Sequence, residues 1–162
     1  MNKSLSIEIS IPQQRLWLKA GTRTRLHYPV STARNGPGEL CGSECTPRGL
    51  HVIAEKIGGD CPMNTVFAGR VPTGEIYSAD LRAQFPERDW ILTRILWLSG
   101  AEPGVNCGGE VDSQSRYIYI HGTPDEEPMG EPRSHGCVRM RNADIVKLFE
   151  KIDVGTPVII CA

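Results

Sequence analysis

The sequence predicts a mainly β fold with one clear amphipathic helix near its C-terminus, and three observations predict it. Short runs with period-two alternation recur along the 162 residues. Seventeen Gly and twelve Pro supply the turns that separate such runs. A single stretch, residues 142–152, repeats its apolar residues at helical spacing instead. The length suits one domain over residues 1–162, long enough to bury a core without cross-links.

The elements follow in order. Residues 4–10 alternate with Leu5, Ile7 and Ile9 on one face, Pro12-Gln13-Gln14 breaks the run, and residues 15–18 resume it, a hairpin of two half-buried strands. Residues 24–31 form another extended run, interrupted by Pro29. Residues 33–47 are too rich in Gly and Pro for regular structure and read as a polar loop. Residues 50–57 and 66–71 read as strands, and a helical turn is expected at residues 79–84. Residues 90–99 are strongly apolar and β-favouring, a core strand. Residues 116–121 alternate, and residues 157–160 read as a closing buried strand. In the helix, Asn142 is expected as N-cap and Asp144 favours the first turn. Ile145, Leu148, Phe149 and Ile152 line one face, and Gly155 follows as a stop.

Composition excludes several classes. Hydrophobic residues at 40% and charged residues at 23% describe a globular chain, and a net charge of −1 offers no draw to nucleic acid or an anionic membrane. No apolar run reaches membrane-spanning length. The opening residues alternate in polarity and lack the apolar core of a secretory leader. A cytoplasmic location is therefore expected, or a periplasmic one if a leader has been removed. Cys41 and Cys45, with Cys61 and His51 nearby, raise zinc as an option, but the one C-x3-C has no second pair, and loop thiols are the expected reading.

Chemistry concentrates in residues 131–140, EPRSHGCVRM, where Cys137 follows His135 and Gly136 among charges and turn formers. A thiol there is a candidate nucleophile if a base and oxyanion donors lie near. Two histidines are candidates for the base: His135, two residues away, and His121, which ends the alternating run. Period two sets Tyr117, Tyr119 and His121 on one face, toward a cleft, and Ile118 and Ile120 on the other, toward the core. Gly122-Thr123-Pro124 reads as a turn after His121. Gly136 frees the backbone to offer N–H groups, and Arg139 can pair with a substrate carboxylate.

His121-Gly122-Thr123, Ser134-His135-Gly136-Cys137-Val138-Arg139-Met140, Asn142 and Gly155-Thr156-Pro157-Val158 together resemble the YkuD-type L,D-transpeptidase family. Pro29-Val30-Ser31-Thr32 and Thr46-Pro47-Arg48-Gly49 look like two further landmarks of it, so the resemblance covers nearly the whole chain. It implies a β-sandwich-like domain with a catalytic cysteine in an open cleft. It further implies Cys137 as nucleophile, His121 as general base and the Gly122 carbonyl as the group that orients His121. Backbone N–H groups of Gly136 and Cys137, with His135, would form the oxyanion hole. Arg139 would meet a substrate carboxylate, Ser134 would brace the loop, and Tyr119 would line the cleft. No metal or organic cofactor is implied. Residues 122–133 between His121 and Ser134 are acidic and Pro-rich, so no lid contacts are carried over. An aromatic is commoner in the family where His51 stands, and a packing role is expected for it.

The activity implied is cleavage of the bond between diaminopimelate and the terminal D-alanine of a peptidoglycan tetrapeptide stem, through a thioester. The expected partners are stem peptides or soluble muropeptides, with carbapenems as covalent inhibitors. Water is the expected acceptor, giving an L,D-carboxypeptidase of muropeptide recycling; a second stem's amine, giving a 3→3 cross-link, is the alternative. Two other classes compete. A non-catalytic wall-peptide binder predicts decay among His121, Gly122, His135, Gly136, Cys137 and Arg139, which are all present, and a redox or metal protein built on Cys41 and Cys45 predicts bound zinc.

Overall fold

The computed structural model describes residues 4–162; Met1–Lys3, where the stretch read for a leader begins, lie outside the described residues. Among the described residues, ten strands form one sheet that curls on itself, with two α-helices. They are β1 (Leu5–Ser10), β2 (Arg15–Ala20), β3 (Arg23–Pro29), β4 (Gly49–Ile57), β5 (Thr65–Ala68), β6 (Val71–Ile76), β7 (Ile91–Gly100), β8 (Tyr119–Thr123), β9 (Val138–Arg141) and β10 (Pro157–Cys161). The helices are α1 (Ala79–Gln84) and α2 (Asn142–Lys151). The strand order is β3-β2-β1-β10-β4-β7-β5-β6, and β8 pairs with β7 and β9. Two neighbouring pairs are parallel, β1 with β10 and β8 with β9.

The curl lets side chains from both ends of the sheet share one core. Ile7, Leu16 and Val158 from one end cluster with Leu96, Ile120 and Met140 from the other, all fully buried. The apolar stripe of α2, Ile145, Leu148 and Phe149, closes this core. Thus the alternation in β1 and β2 buries one face, as the sequence predicts for a half-buried hairpin.

Several elements differ from expectation. Residues 66–71 are not one strand: β5 and β6 form a hairpin through Gly69 and Arg70, both at positive φ (55° and 65°), the conformation of a two-residue type I′ turn. The run from Arg116 is extended only from Tyr119, because Tyr117 takes a left-handed φ of 59°. Gly122 and Thr123 continue β8 instead of turning. Asn142 is not the N-cap of α2. Arg141 holds that place with no side-chain bond, and buried Asn142 is pulled inward to other partners. By contrast, Ser78 caps α1 as its residue type favours, its Oγ accepting the Leu81 N–H at 3.1 Å.

Candidate active site

β8 and β9 run parallel with Ile120 opposite Val138 and His121 opposite Arg139. This register sends Tyr119, His121, Cys137 and Arg139 to one side, where they line a cleft of about 490 Å³. Ile118, Ile120 and Val138 join the core, so the alternation read from the sequence holds at these positions. A cleft of this size suits a peptide fragment or small ligand.

The loop that carries the thiol is pinned from three sides. Ser31 and Arg139 exchange backbone hydrogen bonds at 2.9 Å each way, and Arg34 N–H donates to Ser134 O at 2.9 Å. Thr46 Oγ1 donates to Gly136 O at 2.8 Å while accepting the Ala33 N–H. Ser134, buried, donates its hydroxyl to Cys137 O at 2.5 Å and accepts the Gly136 N–H at 3.2 Å. Gly136 sits at φ +136°, a conformation side-chain-bearing residues rarely adopt.

Cys137 Sγ accepts the Tyr119 N–H and donates to Tyr117 O, both at 3.3 Å. Burial pushes the thiol up to about 12, with Asp89 adding to the rise, against the lowering pull of the Tyr119 N–H, Arg139 and Arg116. His121 is buried, and burial lowers its pKa below the usual imidazole value. Its Nδ1 lies 2.6 Å from Gly122 O; since a carbonyl only accepts, Nδ1 carries the proton and the lone pair rests on Nε2. The resting cleft therefore pairs a neutral thiol with a neutral imidazole.

Of the expected oxyanion donors, the Gly136 N–H is bonded to Ser134 Oγ. The N–H groups of His135 and Cys137 donate to no group among the described residues. Arg139, expected to meet a substrate carboxylate, bonds Asp89 Oδ1 through its Nη2 at 3.1 Å. The same carboxylate lies 3.8 Å from His135 Nδ1. Asp89 was not legible in the sequence, because a lone acid before a strand carries no motif. Thr46 was readable only as a landmark, and its bond to Gly136 appears with the fold. Tyr119 is buried and its hydroxyl accepts from Arg70 Nη1 at 3.1 Å.

Other candidates lie elsewhere. His51 is fully buried away from the cleft, with Nε2 2.8 Å from Ser113 Oγ and Nδ1 3.0 Å from Gly49 O. Cys41, Cys45 and Cys61 are free thiols, and no three His, Cys, Asp or Glu side chains among the described residues group closely enough for a metal ion.

The L,D-transpeptidase catalytic domain profile, YkuD, matches residues 4–160. The chain belongs to this family. Its YkuD domain is 48% identical over 48 residues to YqjB of Bacillus subtilis (strain 168), whose name carries the words L,D-transpeptidase; the match covers 30% of this chain and 27% of that protein. An L,D-transpeptidase from Mycobacterium smegmatis superposes with a TM-score of 0.62 at 18% identity, over 98% of this chain and 59% of that one. An LD transpeptidase in complex with imipenem superposes at 0.58 and 17% identity, over 97% of this chain and 58% of that one. The YkuD domain thus spans less than two thirds of these relatives, and the two structural likenesses speak for the fold.

Proposed function

We propose that this YkuD domain is an L,D-carboxypeptidase that trims peptidoglycan tetrapeptide stems by cysteine acyl transfer. The observation that carries the reading is Cys137 and His121 facing one cleft, with Nε2 of His121 left as the only free ring acceptor by the Gly122 carbonyl. His121 Nε2 takes the thiol proton as Sγ attacks the diaminopimelate carbonyl carbon. The oxyanion develops toward the Cys137 and His135 N–H groups, which have no other acceptor. His121 returns the proton to the D-alanine nitrogen, the C–N bond breaks, and the thioester remains. A water then gives its proton to Nε2 and attacks the thioester, releasing tripeptide and restoring the thiol. Water is favoured because it needs no site of its own.

A second cavity of about 340 Å³ shares Asp89, His135 and Arg139 with the main cleft and favours a second reading, in which a stem amine resolves the thioester. Incubating the protein with tetrapeptide, alone and with excess acceptor amine, separates the two by product mass. Tripeptide in both arms is expected, and dimer without tripeptide would sink the carboxypeptidase reading. A carbapenem should acylate Cys137 by opening its lactam ring, adding the whole drug mass. Cys137→Ala should abolish both adduct and turnover with the fold intact; a retained adduct would move the nucleophile to another thiol.

A further inference from the structure

Three arginines face the Cys137 cleft, Arg70, Arg116 and Arg139, and their partners separate them. Arg139 is bound to Asp89. Arg116 donates from Nη1 to Glu39 O at 3.1 Å and from Nη2 to Cys45 O at 2.8 Å, so backbone carbonyls occupy it. Arg70 has one polar partner among the described residues, the Tyr119 hydroxyl, and no carboxylate. A guanidinium carries five N–H donors, so most of Arg70's remain open.

Aromatic faces, not an ion pair, hold Arg70 in position. Its guanidinium carbon lies 4.6 Å from the Trp97 ring centre and 4.9 Å from that of Tyr117. The backbone supports the same placement: Arg70 occupies the second position of the β5–β6 turn at φ +65°, where glycine is the usual occupant. A half-buried, oriented and uncommitted cation beside a nucleophile is suited to bind an anion bidentately.

We propose that Arg70 is the residue that reads a carboxylate of the stem peptide in this cleft. The assignment rests on the acyl-transfer reading above and replaces Arg139, which Asp89 already neutralises, as the carboxylate partner. Two carboxylates of the substrate supply the same chemistry: the terminal one of the leaving D-alanine and the side-chain one of the diaminopimelate.

Binding tests the assignment without turnover. In protein carrying Cys137→Ala, calorimetric titration with tetrapeptide should show Kd rising about 10–100-fold when Arg70→Met is added, since Met retains apolar stacking but no charge. Arg70→Lys should restore part of the loss. Two analogues identify the source: a tetrapeptide amidated at its terminus, and one with lysine in place of diaminopimelate. The analogue that lacks the carboxylate read by Arg70 should bind weakly whether residue 70 is Arg or Met. Equal Kd for Arg70 and Arg70→Met overturns the proposal, as does an undiminished Arg70 effect on both analogues, or no tetrapeptide binding by the parent. Arg70-dependent binding with no turnover by the protein bearing Cys137 would instead sink the acyl-transfer reading and leave this assignment standing.

Discussion

At Cys137, which is half-buried in the cleft, desolvation sets the resting proton state. With the thiol pushed up to about 12 and His121 lowered, the proton stays on sulfur until attack begins. Alkylation of Cys137 by iodoacetamide, followed by peptide mass mapping, should keep rising above pH 9; a plateau below pH 8 would mean a resting thiolate. Asp89→Asn removes a charge that raises the thiol's pKa, so it should speed alkylation at a fixed pH. His121→Ala should cut turnover by ~10²–10⁴ if Nε2 is the base, measured as tripeptide release. The two groups also shape stability in opposite directions. His121 lies below its ordinary 6.5 in the folded chain, so its contribution holds at neutral pH and is lost as pH falls below that value. Cys137 lies above its ordinary 9.0, so its contribution is lost as pH rises through and beyond it.

Among the elements, β7 and β8 define how closely His121 is held. The β7 register shifts between Leu92 and Ile95, and Thr93 there takes φ 73°, costly for a β-branched residue. Thr93 Oγ1 donates to Asn142 Oδ1 at 2.5 Å and accepts the Asn64 N–H at 3.0 Å, which holds the bulge. Asn142 also donates to Asn64 Oδ1 and Asp125 Oδ1, so its side chain ties α2 to β7 and to two loops instead of capping the helix. Gly122 lies directly beneath this knot. A Cβ there would stand 2.5 Å from both Asn142 Oδ1 and Leu92 O. Gly122→Ala should therefore cost about 1–3 kcal/mol in urea denaturation and lower activity through a displaced His121. Stability equal to the parent would show that the knot yields. The sequence identified Gly122 through its carbonyl; its missing side chain is as consequential, and only the packing reveals that. Asn142 was misplaced for a related reason. Its type suits an N-cap, but buried Thr93, half-buried Asn64 and exposed Asp125 offered its side chain more bonds than the helix end did.

For the whole molecule, local pattern and long-range pairing divide what could be read. Alternation in residues 5–20, the apolar run of β7 and the stripe of α2 are local signals, and each element stands where the pattern puts it. The β5–β6 turn escaped because Arg70 occupies a position where glycine would have announced it. Cys137, His121 and Gly122 were legible through short motifs, whereas Asp89, Arg70 and Arg116 reach the cleft through pairings between distant strands. The most demanding pairing is that of β10, which joins β1 to β4 and alone links the β1–β3 meander to the remaining strands in the sheet order. Truncation after Gly155 should abolish the cooperative unfolding transition by circular dichroism; a retained transition would mean the two parts dock without it.

The place of β10 also governs when the chain can fold during its own synthesis. Ile7 pairs with Val158 and Ile9 with Ile160, so the first strand waits for a partner about 150 residues later in the chain. Closure over so long a loop is slow. Val158 and Ile160 belong to the same core as Val138 and Met140, which support the thiol loop. The cleft is thus among the last features to become rigid, and a nascent chain on the ribosome carries Cys137 for some time before the cleft around it is formed.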